Sequence, residues 1–287
     1  MRRLLWGFTL LLAAAPAPAA PDDNEDDKPA PAAEVKSLIA DYEKSRRAAA
    51  RPRTGDEQAK AEEKRLKPEA VAARLLELAE QNPEDPGVTP AALVHVVTLP
   101  LRGTEGARLR HVALERLTRD HAASDQLGTI VLRFTYEPSS AAAAFLRAVA
   151  DKNPEDELKG KATYGLGAML HRAADFSRQM HEQPDLEQRV EAVFGKETAG
   201  WLRDGDADRL EKDAEELFET AADKFADVPM YGEETLGDLA KGQLFEIRNL
   251  GIGKTAPEIE GEDLDGTPFK LSDYRGKVVV IDFWGNW

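Results

Sequence analysis

The chain has 287 residues, a net charge of −15 and 42% apolar residues, which is room for about two ordinary domains with a real core. That charge argues against nucleic acid, which demands a positive surface to displace counterions, and against an anionic membrane surface. A charged content of 32% excludes a multi-span membrane protein, and the absence of cysteine excludes structural disulfides.

Arg2 and Arg3 precede an apolar core of 12 residues, Leu4 to Ala15. A membrane-spanning helix needs about 20 such residues, so the run is short for one. Ala15-Pro16-Ala17-Pro18-Ala19-Ala20 then supplies small residues for cleavage. Residues 1–19 therefore read as a signal peptide cut after Ala19, with a retained membrane anchor as the rival reading. Loss of the two arginines takes the net charge from −15 to −17. The expected location is periplasmic or extracellular in a bacterium, with no stable membrane insertion after cleavage. No cysteine follows the apolar run to carry a lipid.

Residues 20–33 read as a disordered linker, because Pro21 to Ala33 is rich in Asp, Pro and Ala and has no apolar period. Glu34 to Arg51 follows as a helix with Val35, Leu38, Ile39 and Tyr42 on one face. Arg51 to Lys60, broken by Pro52 and Gly55, reads as a loop. Ala61 to Leu250 is helical in pattern almost throughout. Leu75, Leu76, Leu78 and Ala79 line a helix ending near Gln81-Asn82-Pro83, and Ala91 to Leu99 forms a short helix ended by Pro100. Ala107 to His121 is a further helix with Leu109, Val112, Ala113 and Leu117. Leu127 to Tyr136 holds the strand-like Thr129-Ile130-Val131-Leu132, but its setting between helices favours a helix.

Three stretches beginning at Leu75, Phe145 and Leu217 resemble one another, at offsets of 70 and 72 residues. Each is an amphipathic helix ending in an acidic loop, followed by a Gly- and Ala-rich helix. The spacing is close to twice the tetratricopeptide period of about 34 residues. Small residues in the second helices, Gly165, Gly167 and Ala168, then Gly237, Ala240 and Gly242, mark positions of close packing. Residues 34–250 thus resemble a tetratricopeptide-like array of helical pairs. The family's fuller Trp, Gly, Tyr and Pro consensus is absent, and an irregular helical domain is the alternative. Such an array implies a concave surface for a partner protein.

Composition changes after Leu250. Gly251 to Pro257 is a linker and turn, Ile259 to Leu264 a short strand, and Asp265-Gly266 a hairpin signal from which Phe269-Lys270-Leu271 pairs back. Ser272 to Gly276 turns again. Val278-Val279-Val280-Ile281, with Phe283, suits a strand buried on both faces of a parallel sheet.

From Gly253 onward the chain resembles the redoxin branch of the thioredoxin superfamily, which holds alkyl hydroperoxide reductase-like proteins and exported thiol–disulfide oxidoreductases. Four pieces carry the resemblance, in order: Gly253-Lys254-Thr255-Ala256-Pro257; Asp263-Leu264-Asp265-Gly266 with Phe269-Lys270-Leu271-Ser272; Tyr274-Arg275-Gly276-Lys277-Val278-Val279-Val280; and Phe283-Trp284-Gly285-Asn286-Trp287. They cover ~35 residues of the 287. The implied fold is mainly α, helical pairs followed by the N-terminal fragment of an α/β thioredoxin-like domain at residues 251–287. The implied activity is reduction of a protein disulfide or a peroxide, with no cofactor and no metal.

The resemblance also assigns roles. Asp282 takes the place of the buried acid that receives a proton from the second cysteine of C-x-x-C; many exported relatives have Asn there, and the plain alternative is a partly solvated Asp at a strand end. Trp284 and Trp287 flank the site. The reactive atom sits just after Trp287, at a helix N-terminus where unpaired N–H groups and the helix dipole lower its pKa. No catalytic residue lies among the 287, so the chain as written is inactive as a redox enzyme. The position after Trp287 is the one that some relatives fill with selenocysteine, encoded by UGA. The expectation is a frame continuing with selenocysteine, two residues and a cysteine; a contig end, a frameshift, a pseudogene or a non-catalytic remnant behind an exported helical scaffold are the other readings.

Other motifs lead to plainer readings. Asp204-Gly205-Asp206-Ala207-Asp208, with Glu215 twelfth, mimics a calcium loop, but its sixth position is Arg209 where glycine is required. Helix capping by Asp206 or Asp208 is the better reading. His95, His111, His121, His171 and His181 form no ligand pair and read as surface or packing residues. The chain has no G-x-S-x-G, phosphate loop or dinucleotide-binding glycine motif.

Overall fold

The structure is a computed structural model that describes residues 29–50, 55, 59–60, 63–135, 138–251 and 254–282. The signal peptide and most of the linker expected at the N-terminus lie outside the described residues. The described residues form ten longer helices and one hairpin: α1 Pro31–Ala49, α2 Pro68–Gln81, α3 Thr89–Thr98, α4 Gly103–Asp120, α5 Ser140–Lys152, α6 Asp156–Glu182, α7 Leu186–Phe194, α8 Lys196–Arg203, α9 Ala207–Lys224, α10 Leu236–Asn249, β1 Glu260–Glu262 and β2 Pro268–Lys270.

The helical boundaries follow local chemistry. Pro at the first turn opens α1, α2 and α3, where its missing N–H has no helical acceptor to lose. Ser139 caps α5 by accepting from the Ala142 N–H, and Thr235 with Asp238 forms a reciprocal capping box at α10. Asp206 caps α9 by accepting from the N–H groups of Asp208 and Arg209, both at 3.1 Å. The calcium-like run is therefore a helix start, as its Arg209 indicated. Asp208 instead pairs with Arg178, which also meets Glu211.

Packing runs through one main core. Val35 and Tyr42 of α1 are buried, with Leu38 and Ile39 half-buried against the same core, as the 3.6-residue period requires. α2 packs on α3, α3 on α4, and α4 on α5. The 27-residue α6 is the central element, seated against α5, α9 and α10. Its glycines allow that contact: a Cβ on Gly160 would stand 2.8 Å from the Phe225 Cβ, and one on Gly167 3.1 Å from the buried Phe218 ring. Glycine inside a helix costs about 1 kcal/mol against alanine, so these positions trade propensity for close approach. α7 and α8 pack together and add a smaller core of Ala173, Met180, Val190, Ala199 and Leu202.

Four expectations change. Pro31 to Ala33 belongs to α1, not to the spacer, because Pro31 starts the helix. Of the loop expected at 51–60, the described residues Gly55, Ala59 and Lys60 are helical. Leu127 to Phe134 is no regular helix: a 3₁₀ helix, Asp125–Thr129, passes into turns. Gly128 and the β-branched Thr129, Ile130 and Val131 disfavour an α-helix, while Leu127, Ile130, Val131 and Phe134 are all buried. The Val131 carbonyl lies 3.0 Å from where a Cβ on Gly165 would sit, so this turn rests directly on α6. Gly242 is exposed with open space around it and supports no close packing.

The Asn-Pro-Glu-Asp tetrapeptide occurs twice and is used differently. Asn82 donates back to Leu78 O of its own helix at 2.8 Å. Asn153 is buried and donates to Ala122 O and Ser124 O, each at 3.0 Å, while its Oδ1 accepts from the Glu155 N–H.

Candidate functional site

The region to which the sequence points is built on a short local hairpin. β1 and β2 pair antiparallel, with Glu260 opposite Lys270 and Gly261 opposite Phe269. Asp263 organises the turn: its Oδ1 accepts from the N–H groups of Asp265 at 2.9 Å and Thr267 at 2.8 Å. Gly266 adopts φ 76°, which an L side chain rarely tolerates, as the Asp-Gly signal required. The Lys270 ammonium meets Glu260 across the strands at 2.5 Å.

Beyond the hairpin a 3₁₀ turn, Leu271–Tyr274, returns the chain. The Leu271 N–H donates to Ile259 O at 2.9 Å, the Ser272 N–H to the Glu258 carboxylate at 2.9 Å, and the Lys270 N–H to Asp273 at 3.0 Å. These bonds to Ser272 hold the Glu258 carboxyl below its ordinary value. The sequence reading missed Glu258 and Asp273 as organising residues; an acid three residues past the strand end is the capping-box signal that marks Asp273. Gly276, at φ 81°, delivers the chain to Lys277.

The run after Lys277 differs from expectation. Val278 to Asp282 is not a hydrogen-bonded strand, and none of its residues is buried. Val278 and Val280 are 96% and 89% exposed, while Val279 and Ile281 are 43% and 47% exposed. A strand is buried on both faces only when neighbouring strands and covering helices supply partners. Among the described residues the strands are β1 and β2, and neither pairs with this run. The alternation in exposure is nonetheless that of an extended chain. Val279 and Ile281 help enclose a cavity of about 320 Å³ with Ile259, Phe269 and Leu271 of the hairpin.

Asp282 borders the same cavity and is exposed, so in this chain it has the surroundings of a solvated acid. Trp284 and Trp287 lie outside the described residues, as does Phe283. The chain contains no cysteine. Among the described residues no group of three or more His, Asp or Glu is placed to hold a metal ion, and no helix is long and apolar enough to cross a membrane.

Comparison with known proteins assigns this segment to a class. Residues 252–287 match the AhpC/TSA family, so the C-terminal segment carries the sequence of a thioredoxin-superfamily redoxin domain. Individual relatives are similar over the same stretch. One is the thiol-disulfide oxidoreductase ResA of Geobacillus thermodenitrificans (strain NG80-2), 47% identical over 38 residues, which are 13% of this chain and 22% of that protein. The ResA of Geobacillus kaustophilus (strain HTA426) is 50% identical over 38 residues, with the same coverage. The ResA of Bacillus thuringiensis subsp. konkukian (strain 97-27) is 39% identical over 49 residues, 17% of this chain and 28% of that protein. The chain spans only about a quarter of the length of these curated relatives. No solved structure matches.

Proposed function

We propose that this chain is part of an exported thiol- or selenol-dependent oxidoreductase that reduces a protein disulfide or a peroxide. The observation that carries the reading is the ordered correspondence of residues 252–287 to the AhpC/TSA family, with the Asp263–Gly266 turn and its hairpin formed where that resemblance requires them. Residues 1–19 serve as a signal peptide, 20–33 as a linker, 34–250 as a tetratricopeptide-like helical domain and 251–287 as the start of the redoxin domain. The helical domain presents a surface to a partner protein.

The chemistry belongs to a nucleophile placed after Trp287. Its thiolate or selenolate attacks one sulfur of a substrate disulfide, forming a mixed bond and releasing the other sulfur as a thiolate. The second residue of the motif, a cysteine, then attacks the mixed bond and frees the remaining substrate thiol. The enzyme is left oxidised, and an external dithiol returns it to the reduced state. Asp282 holds the proton for the resolving cysteine once the sheet around it is complete, and Trp284 and Trp287 flank the reactive atom. Selenium is the preferred nucleophile in this reading because a selenol is the stronger acid and its anion the better nucleophile.

The absence of cysteine favours a second reading, in which the helical domain is the working part and the redoxin segment a non-catalytic remnant. The genomic codon after Trp287 separates them. TGA followed by an open frame encoding x-x-C and the rest of a thioredoxin fold supports the selenol enzyme, and the restored protein then reduces insulin disulfides or a peroxide. A cysteine codon there, with the same activity, retains the oxidoreductase and replaces selenium by sulfur. TAA or TAG, or an extended protein inert toward both substrates, rejects the enzyme and leaves the scaffold.

A further inference from the structure

A buried hydroxyl without a partner, Thr198, borders a cavity in the helical domain. The cavity encloses about 290 Å³ between one face of α4, the first turn of α5 and the corner joining α7 to α8. Leu114 and Phe134 form a buried floor, and Ala107, Ala141 and Phe194 form the walls. An apolar cavity of about 150 Å³ takes one benzene ring, so this one has room for roughly two.

Charge does not select the occupant. Arg108 is engaged by Glu105 at 2.6 Å, and Arg110 has the Leu99 and Leu101 carbonyls among its partners. Glu197, the carboxylate of the lining, lies 3.6 Å from His111. Lys196 also borders an adjoining pocket, which it shares with Glu187, Glu191 and Glu197. Arg203 of that pocket pairs with Glu187 at 2.7 Å and with Asp204 at 2.8 Å. Counted with Glu105 and Asp204, the two pockets hold four Lys and Arg side chains against five carboxylates. No positive excess is left to hold an anion, and Glu197 is already set against His111.

What selects is a donor with nothing to bond. Gly195, at φ 87°, turns the chain so that α8 begins at the cavity, and no side chain caps its first turn. The N–H groups of a first turn have no acceptor within their own helix. Thr198, in that turn, is only 4% exposed, and its hydroxyl has no hydrogen-bond partner among the described residues. A buried hydroxyl ordinarily finds a partner, because leaving it without one costs stability.

We propose that this cavity binds a small neutral molecule, an aryl or alicyclic body of roughly ten carbons carrying one acceptor oxygen, as in a ketone. The body lies on the apolar floor and walls and covers Val193, which stands at the mouth 65% exposed. The oxygen accepts from the Thr198 hydroxyl. This inference rests on nothing in the C-terminal segment and is independent of its redox reading.

Isothermal titration of the full chain with 4-phenylbutan-2-one tests it, with propylbenzene, 3-phenylpropionate and 3-phenylpropylammonium for comparison. The ketone is expected to bind saturably at one site, about tenfold or more tighter than either ion. Thr198→Val keeps the shape of the side chain and removes the hydroxyl. It is expected to weaken the ketone about fivefold, the worth of one neutral hydrogen bond, and to leave propylbenzene unmoved. Its thermal midpoint is expected not to fall, since the hydroxyl holds nothing within the protein. Ala141→Phe fills the cavity and is expected to abolish binding of ketone and hydrocarbon, with its helical content checked by circular dichroism. No saturable binding of the ketone, an ion bound as tightly as the ketone, or a ketone affinity unmoved by Thr198→Val overturns the proposal. A lowered midpoint in Thr198→Val, or binding retained by a folded Ala141→Phe protein, does so too.

Discussion

The buried amide of Asn153 joins two turns 31 residues apart by donating to the Ala122 carbonyl at 3.0 Å. Its second N–H serves Ser124 and its oxygen serves the Glu155 N–H, so a single side chain satisfies three backbone groups where α5 turns into α6. Removing the amide strands the buried Ala122 carbonyl, at about 1–3 kcal/mol, and the half-buried Ser124 carbonyl at less. Asn153→Ala is therefore expected to lower unfolding stability by roughly 2–4 kcal/mol. The equivalent change in the first tetrapeptide, Asn82→Ala, loses only a bond to its own helix and is expected to cost about 1 kcal/mol. Urea unfolding of both variants checks the contrast, and equal losses would refute it.

His95 gives the helical domain a pH dependence. Its ring meets Tyr42 edge-on at 6.4 Å, and its Nε2 is buried without a hydrogen-bond partner. Burial pushes the imidazole below its ordinary value, with Glu43 opposing weakly. The unfolded chain thus takes up a proton before the folded one does. Stability is full above the unfolded value of about 6.5 and falls as pH drops below it. His121 is shifted the same way, also chiefly by burial. Urea midpoints at pH 7.5 and 5.0 are expected to show this loss. His95→Phe, which keeps an aromatic contact with Tyr42, is expected to reduce it, and an unchanged pH dependence would remove His95 as the cause.

The exposed apolar run has a testable polarity. Val280 is 89% exposed and Val279 only 43%, although both border the hairpin cavity. An unpaired apolar segment is a template for association between copies. Val280→Lys is expected to slow concentration-dependent aggregation, measured by light scattering, while leaving the hairpin intact. Val279→Lys is expected to slow it too but to loosen the hairpin, read as faster amide exchange at Leu271. If the two substitutions act alike on both measures, the run has no preferred face.

Much of this was legible because its causes are local. The α1 stripe of Val35, Leu38, Ile39 and Tyr42 follows from helical period alone, and the hairpin follows from Asp265-Gly266, whose glycine supplies the positive φ. The Asp206 cap was legible for the same reason. The exposure of Val278 to Ile281 was not, because burial depends on strands that must lie beside the run, and composition describes only the run itself. The turn at Leu127 to Phe134 escaped for a related reason: its apolar residues are buried by the neighbouring helices α3, α5 and α6, not by a helical face of their own. The cavity at α4, α5 and α7–α8 draws on residues from Thr104 to Thr198, and no local pattern brings these together.

The hairpin ahead of the apolar run has one further consequence. Its hydrogen bonds, from Glu258 to Lys277, all close within about 20 residues of chain, and the loop entropy of such closures is small. A chain threaded through a narrow exit in order of synthesis can complete this piece on its own, without help from the helical domain. Ile259, Phe269 and Leu271 then already wait beside Val279 and Ile281. The hairpin is thus a self-contained seed, which sets the direction in which the Val278–Ile281 run leaves it.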